Sequence, residues 1–407
     1  MSPRLNMILR VTAFVGATLL IAFLVYFFLL RGAPRITPPT DGGETPEIPV
    51  GNLPGSGPAG ERPVPTPEPG EPGGGLPPSP VADGGPTLTV QLTSSPVAAP
   101  TLASGNQISF YDPNDGAFYT IDANGNLLRL SDARYPQADD VVFSADTSKV
   151  ALEFPDGSNI IYDLTTDRQT TLPAHWEGFG FSPDSQGIAS KSITVDPNAR
   201  ALVLTNADGS QATSIVSLGN NADDVTVNWS PNNSIVAFSE TGSAQAAFGR
   251  QEIFLLDTTG DAVGALVVEG SNFSAQWSPS GERILYSVAK TTANDRPSLW
   301  IVDGAGTNMG SGRTDLNVET WVEKCTFKDE TFVLCAVPRE VTNFSGFDHR
   351  LITSGDDLYQ VNLATGRTFL LAELTSEMQM FNLRVSQDGS ILYFTDGSSR
   401  LNSMRLR

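Results

Sequence analysis

A short turn motif recurs along most of this 407-residue chain. Phe181-Ser182-Pro183-Asp184, Trp229-Ser230-Pro231-Asn232 and Trp277-Ser278-Pro279-Ser280 share one layout. An aromatic residue closes an apolar run, Ser-Pro and a polar corner follow, and a second apolar run begins. Ile235-Val236-Ala237-Phe238-Ser239 and Arg283-Ile284-Leu285-Tyr286-Ser287 are two such second runs. Proline presets φ, and serine hydroxyls bond nearby backbone, so these corners are sharp turns with a mechanism. Degenerate copies lie at Phe143-Ser144-Ala145-Asp146, Phe327-Lys328-Asp329-Glu330 and Val385-Ser386-Gln387-Asp388-Gly389.

The anchors Phe143, Phe181, Trp229, Trp277, Phe327 and Val385 are 38, 48, 48, 50 and 58 residues apart. That period fits a four-stranded blade of about 40–50 residues. Helical repeats of similar period are disfavoured by the residues between anchors. Ile253-Phe254-Leu255-Leu256 and Leu299-Trp300-Ile301-Val302 are short, aromatic or β-branched, and end in turn residues. The fold class is therefore all-β, a β-propeller of six or seven four-stranded blades.

The two ends decide the blade count. Ile108–Asp112, Ala117–Asp122 and Leu127–Leu130 read as second to fourth strands of a blade without its own turn motif. Leu383–Val385, Ile391–Thr395 and Leu401–Leu406 supply only three strands of a last blade. A ring closes when an N-terminal strand completes the last blade, which removes exposed edges. Thr87–Leu92 alternates with period two and is the expected closing strand, giving seven blades, the first starting near Ala98. If residues 106–131 overlapped the last blade instead, there would be six.

The blades resemble those of the TolB-like and WD40-like propellers. The carriers are the aromatic-Ser-Pro turn and strand ends such as Ile160-Ile161-Tyr162-Asp163-Leu164 and Leu358-Tyr359-Gln360-Val361-Asn362. The likeness spans about residues 100–407. Only Phe181-Ser182-Pro183-Asp184 keeps Asp after Pro, and no Ser-Pro copy has the full Asp-Gly. The layout also resembles uncharacterised membrane-anchored bacterial propellers. The resemblance implies the fold and no particular activity.

Upstream of the repeats, Val11–Leu30 is a run of 20 uncharged, mostly apolar residues flanked by Arg4, Arg10, Arg31 and Arg35. About 20 residues span a bilayer as a helix. The run is too long for a cleaved signal, so residues 11–30 are expected to be a transmembrane signal-anchor inserted in membrane lipid, behind a short tail of residues 1–10. The tail is expected inside and the propeller outside, in a single-pass cell-membrane protein. Residues 31–86 include 16 prolines and almost nothing apolar. Such a segment cannot bury a core and reads as a disordered stalk. It would reach about 170 Å fully extended and about 40 Å as a coil. The propeller domain is then residues 87–407.

Residues 87–407 carry 20 basic and 38 acidic side chains. That balance repels phosphate backbones and argues against a nucleic-acid partner. Only His175 and His349 are available to a catalytic triad, and Gly-x-Ser-x-Gly is absent. No cysteine or histidine cluster has metal-ligand spacing, and no cofactor is expected. Cys325 and Cys335 flank a hairpin centred near Lys328–Glu330 and sit where two strands can place them opposite each other. They are either a disulfide or two small buried apolar side chains, and an extracytoplasmic location favours the disulfide.

Acidic residues recur where inner strands begin: Asp139-Asp140, Glu177, Asp223-Asp224 and Glu323. These starts ring one mouth of the central channel. Asp140, Glu177, Asp224 and Glu323 are candidate contacts for a cation or a basic partner, or simply solvated strand ends. The least regular loop runs from Pro338 to Arg350 in the sixth blade and belongs to the same face. Its Arg339, Phe344, Phe347, Asp348, His349 and Arg350 have the mixed aromatic and charged character of binding surfaces. The expected function is a non-catalytic extracytoplasmic binding or scaffold protein. Its partner is expected to be an envelope or surface protein, a peptide or a glycan. The alternative is a glycan-active propeller enzyme using a carboxylate pair such as Glu177 and Glu323 near the channel.

Overall fold

A computed structural model of the protein describes residues 77–122, 124–243, 249–374 and 377–406. The segments read above as tail, membrane anchor and most of the stalk lie outside the described residues. Among the described residues, no helix is long and apolar enough to cross a membrane.

Strands fill the described chain. Two N-terminal strands, β1 (Gly85–Thr87) and β2 (Val90–Pro96), precede the repeats. Blade I is β3 (Ala98–Ala103), β4 (Gln107–Asp112), β5 (Ala117–Ile121) and β6 (Leu127–Arg129). Blade II is β7 (Asp140–Phe143), β8 (Lys149–Glu153), β9 (Asn159–Asp163) and β10 (Arg168–Leu172). Blade III is β11 (Trp176–Phe181), β12 (Gly187–Ser192), β13 (Ala201–Asn206) and β14 (Thr213–Ser217). Blade IV is β15 (Val225–Val227), β16 (Ala237–Ser239), β17 (Arg250–Leu256) and β18 (Ala262–Glu269). Blade V is β19 (Ser271–Trp277), β20 (Arg283–Lys290), β21 (Arg296–Asp303) and β22 (Thr314–Asp315). Blade VI is β23 (Cys325–Phe327), β24 (Phe332–Pro338), β25 (Asp356–Asn362) and β26 (Thr368–Leu374). Blade VII is β27 (Phe381–Val385), β28 (Ile391–Thr395) and β29 (Arg400–Arg405), completed by β2.

The ring thus has seven blades, with first strands lying against one another around the axis. Its closure differs from expectation by a few residues. Thr87 ends β1, which runs parallel to β26 and adds a fifth strand to blade VI. The closing strand starts at Val90, opposite Ser403, and runs through a register shift to Pro96, opposite Arg400. The shift in boundary follows from what precedes it. Ala82 is buried between blades VI and VII and donates its N–H to Arg405 O at 2.9 Å. Residues before Thr87 therefore belong to the ring, and the segment passes blade VI before it reaches blade VII. β1 also covers the outer edge of blade VI, which would otherwise be open for pairing.

The core is divided among the seams. Each of seven buried apolar clusters joins two neighbouring blades, including blades VII and I through Tyr393, Leu401, Ile108 and Phe110. A blade interior is therefore apolar on both faces. This explains why β20 reads Arg-Ile-Leu-Tyr-Ser-Val-Ala-Lys, buried along its middle, while the outer strand β10 is mostly exposed. The turn anchors pack across seams: Phe143 meets Phe118 edge-on, and Trp277 stacks on Phe238 at 5.5 Å.

Inner strands alternate in shape. In blades I, III, V and VII the first pairing carries a register shift, at Ala98/Thr101, Glu177/Gly180, Ser271/Ser274 and Phe381/Arg384. Ala99, Gly178, Asn272 and Asn382 hold positive φ there. These are β-bulges, which bend a strand and re-aim its side chains. In blades IV and VI a single 3-10 turn, Ala222–Asp224 or Val322–Lys324, leads into the inner strand instead.

Candidate functional site

Blades VI and VII enclose a cavity beside the loop that joins β24 to β25. The loop between β24 and β25 forms one wall. Its Arg339 is tied down through Asp357 at 3.0 Å, Leu374 O at 2.6 Å and Glu377 at 3.3 Å. The loop then leans on blade V. Phe344 N–H donates to Asn294 O at 2.9 Å, and Gly346 N–H to Asp295 O at 2.8 Å. Gly346 O accepts from Asn272 Nδ2 at 3.0 Å and from Trp321 Nε1 at 3.4 Å. Only glycine fits at 346, since a Cβ would lie 2.6 Å from Asp295 O and 2.7 Å from Ala289 Cα. Phe344 sits at φ 64, an uncommon backbone region for an aromatic residue. With its backbone fixed in this way, the loop still leaves Phe344 60%, Phe347 49% and Leu351 55% exposed.

Past these aromatics, Asp348 caps the short turn His349–Leu351 by accepting Arg350 N–H at 2.9 Å, and it pairs with the Arg350 guanidinium. Hydrogen bonds and charge from Arg350 hold the Asp348 carboxyl below its usual range. His349 lies edge-on to Trp321 and 5.2 Å from the Phe381 ring, with Nδ1 3.5 Å from Glu323 Oε1. Glu323, His349, Arg350, Phe381, Asn382 and Asp396 line a cavity of about 420 Å³. A second cavity of about 570 Å³ continues from it past Ile352, Gln379 and Asp396 toward Glu377 and Arg400. Asp396 is engaged by Arg400 at 2.9 Å. Glu377 accepts Gly355 N–H at 2.8 Å.

Beneath the cavity lies a buried ion pair. Lys324 Nζ is 2.7 Å from Asp356 Oδ2, both side chains being essentially inaccessible. The ammonium sits 4.5 Å from the centre of the Phe381 ring, and Asp356 also accepts Met380 N–H at 2.6 Å. Burial works against both charges, lowering the Lys324 pKa and raising that of Asp356, and each charge is countered by the other.

The expected site residues thus divide. Glu323, His349 and Arg350 come together in one cavity, whereas Phe344 and Phe347 lie exposed on the same loop and do not line it. Arg339 and Asp348 are spent on holding that loop. Asp140, Glu177 and Asp224 lie in blades II, III and IV and do not line it. Asp140 accepts Val141 N–H, Glu177 pairs with Lys191 at 3.3 Å, and Asp224 O accepts Glu240 N–H. Nearby, burial raises the Glu153 and Glu240 carboxyls. Trp176 and Trp321 are buried. Cys325 and Cys335 face each other across β23 and β24 and form a disulfide within the blade V–VI core. Among the described residues, no group of three or more His, Cys, Asp or Glu is placed to hold a metal ion.

Sequence reasoning missed the blade VII half of the cavity. Gln379, Phe381 and Asp396 are separated from the loop in sequence and meet it only through the seam. It also missed Lys324 and Asp356, since lysine is seldom buried; the adjacent Glu323-Lys324 before an inner strand carried no distinguishing signal.

No protein-family model matches the chain, and no curated protein matches it in sequence. Solved structures match it in fold. The β-propeller domain of Cps50 (Swd1) from Myceliophteria thermophila superposes with a TM-score of 0.52 at 11% identity, over 79% of this chain and 99% of that one. Oligogalacturonate lyase in complex with manganese gives 0.50 at 14% identity, over 78% and 92%. The tricorn protease gives 0.50 at 12% identity over 78% of this chain, which spans 34% of that protein. At such identities the likeness is one of fold alone, and the matched structures include a lyase and a protease.

Proposed function

We propose that this protein is a non-catalytic binding module of the TolB-like and WD40-like kind. In this reading it is displayed outside the cell on the residue 31–86 stalk by a membrane anchor at residues 11–30. It engages an envelope or surface protein through the blade VI–VII face. The observation that carries the reading is the loop of blade VI. It keeps Phe344, Phe347 and Leu351 exposed while its backbone is pinned to blade V, so a partner meets apolar anchors whose ordering was completed on folding. The adjoining cavity supplies polar contacts from Glu323, His349 and Asn382. The carboxylates lining the cavity other than Glu323 are engaged by the protein itself, which supports a binding role over a catalytic one.

Affinity capture from solubilised membranes with the full chain tests this. A protein recovered with the wild type is expected to fall at least about tenfold with Phe344→Ser/Phe347→Ser, which removes two exposed apolar anchors. It should disappear when residues 339–350 are replaced by Gly-Ser. Equal recovery of the same proteins by all three forms would refute the reading.

A further inference from the structure

The blade VI–VII cavity is lined by acceptors whose own donors are already spent. Gln379 uses both amide N–H groups on the protein, donating from Nε2 to Ile352 O at 2.8 Å and to Ser354 O at 3.3 Å. Both partners are carbonyls, so only the amide nitrogen can face them. The amide oxygen is left over. It stands beside Gly397 in the cavity wall, 3.6 Å from where a Cβ there would lie. Asn382 is fixed in the same sense. The Thr395 hydroxyl donates to Phe381 O at 3.3 Å, so its oxygen accepts from Asn382 Nδ2 at 3.1 Å. Asn382 Oδ1 is thereby left without a donor among the described residues.

The third open acceptor is charged. Among the described residues no hydrogen bond reaches the Glu323 carboxylate, and its one ion-pair neighbour is His349 Nδ1 at 3.5 Å, a cation only when protonated. The fixed cations around the cavity are engaged already. Arg350 is held by Asp348 at 2.9 Å, Arg400 by Asp396 at 2.9 Å, and buried Lys324 by Asp356 at 2.7 Å. A carboxylate and two amide oxygens thus share a cavity of about 420 Å³ with no fixed cation free to meet them. Phe381 and Ile352 line the same space and offer apolar surface to a methylene stem. The domain's 38 acidic against 20 basic side chains favour the approach of a cation.

We infer that this cavity takes a cationic N–H donor group, the ammonium or guanidinium of a lysine or arginine side chain on the bound protein. An ammonium brings three donors and a guanidinium five, with no acceptor on either, which matches one carboxylate and two carbonyl oxygens. The inference rests on the reading of the blade VI–VII face as a protein-binding face for the source of that side chain. The chemistry of the cavity stands on Glu323, Gln379 and Asn382. Phe344 and Phe347 do not line it, so the two readings can fail separately.

Fluorescence anisotropy with the full chain tests it. The probes are labelled, terminally capped Gly-Ser heptapeptides carrying a central lysine, arginine or norleucine. The lysine or the arginine peptide is expected to bind saturably, at least about tenfold tighter than the norleucine peptide, and to weaken as salt is raised. Glu323→Gln keeps the shape of the side chain, removes its charge, and should weaken that binding at least about tenfold. Asn382→Asp adds a second carboxylate at a position whose φ of 51 aspartate tolerates, and should tighten it. Glu282→Gln removes one charge from an exposed corner of blade V and should bind as the wild type does. Phe344→Ser/Phe347→Ser should keep peptide binding while losing protein capture. Peptide binding without capture of a protein would therefore overturn the protein-binding reading, and capture without peptide binding would overturn this inference. So would equal affinity for the lysine, arginine and norleucine peptides, or affinity unchanged by Glu323→Gln. Displacement of the lysine peptide by butylammonium at equal concentration would give the site to free amines and overturn the assignment to a side chain.

Discussion

Five serines perform one task around the ring. Ser144, Ser182, Ser230, Ser278 and Ser386 are buried, and each Oγ accepts the backbone N–H five residues on, at 2.7–3.2 Å. The motif's serine is thus a backbone substitute that lets a corner be buried between blades. In blade VI, where Lys328 replaces it, the Asp329 carboxylate accepts Thr331 and Phe332 N–H instead. Aspartates two residues after the serine join in. Partial burial opposes ionisation of Asp146, but the Ser148 N–H and the Ser144, Ser148 and Ser185 hydroxyls outweigh it and hold the carboxyl at about 2. The Ser182 hydroxyl and Gln186 N–H lower Asp184, and the Ser386 and Ser390 hydroxyls lower Asp388. A carboxyl whose folded pKa lies below its ordinary 3.8 stabilises the fold above that value, and the contribution disappears as pH falls through the folded value. Melting temperature should therefore drop between about pH 4 and pH 2, and Asp146→Asn should lower it at neutral pH while flattening that drop. Parallel curves for variant and wild type would remove Asp146 from the account.

At the scale of elements, the Lys324–Asp356 pair joins three inner pieces. Lys324 leads into β23, Asp356 begins β25, and both reach the start of β27 through Met380 and Phe381. The pair holds the two blades that form the cavity in a fixed relation. Removing one charge leaves the other buried and unpaired, a loss of about 3–5 kcal/mol. Lys324→Met is expected to cost that much in denaturant unfolding, whereas Lys324→Met/Asp356→Leu should recover much of it. Similar stability for the single and double variants would contradict a pairing role. This element was hidden in the sequence because its members are 32 residues apart and of types usually found at surfaces. The bulges of the odd blades were equally hidden. Asn272 and Asn382 tolerate positive φ, but so do many turn residues, and nothing local marks them as mid-strand. The cysteine pair was legible, because ten residues across a short hairpin place them on facing positions.

Across the molecule, periodicity carried the reading furthest. Anchors about one blade apart, an orphan set of strands at each end and a need for closure sufficed for a seven-bladed ring. What periodicity cannot convey is which seam differs from the rest, since a seam combines residues from two repeats. The acidic strand starts illustrate this. Asp140, Glu177 and Asp224 share a sequence position with Glu323, yet only Glu323 faces a cavity walled by a long loop. The binding face proposed for this protein lies where the repeat is broken, at the seam of blades VI and VII. Site-specific photo-crosslinking in the full chain measures this directly. A photoreactive residue at Phe347 should capture the partner, while one at Val263, which is 50% exposed on the outer strand of blade IV, should not. Capture from Val263 with none from Phe347 would place the binding face elsewhere on the ring and contradict the account.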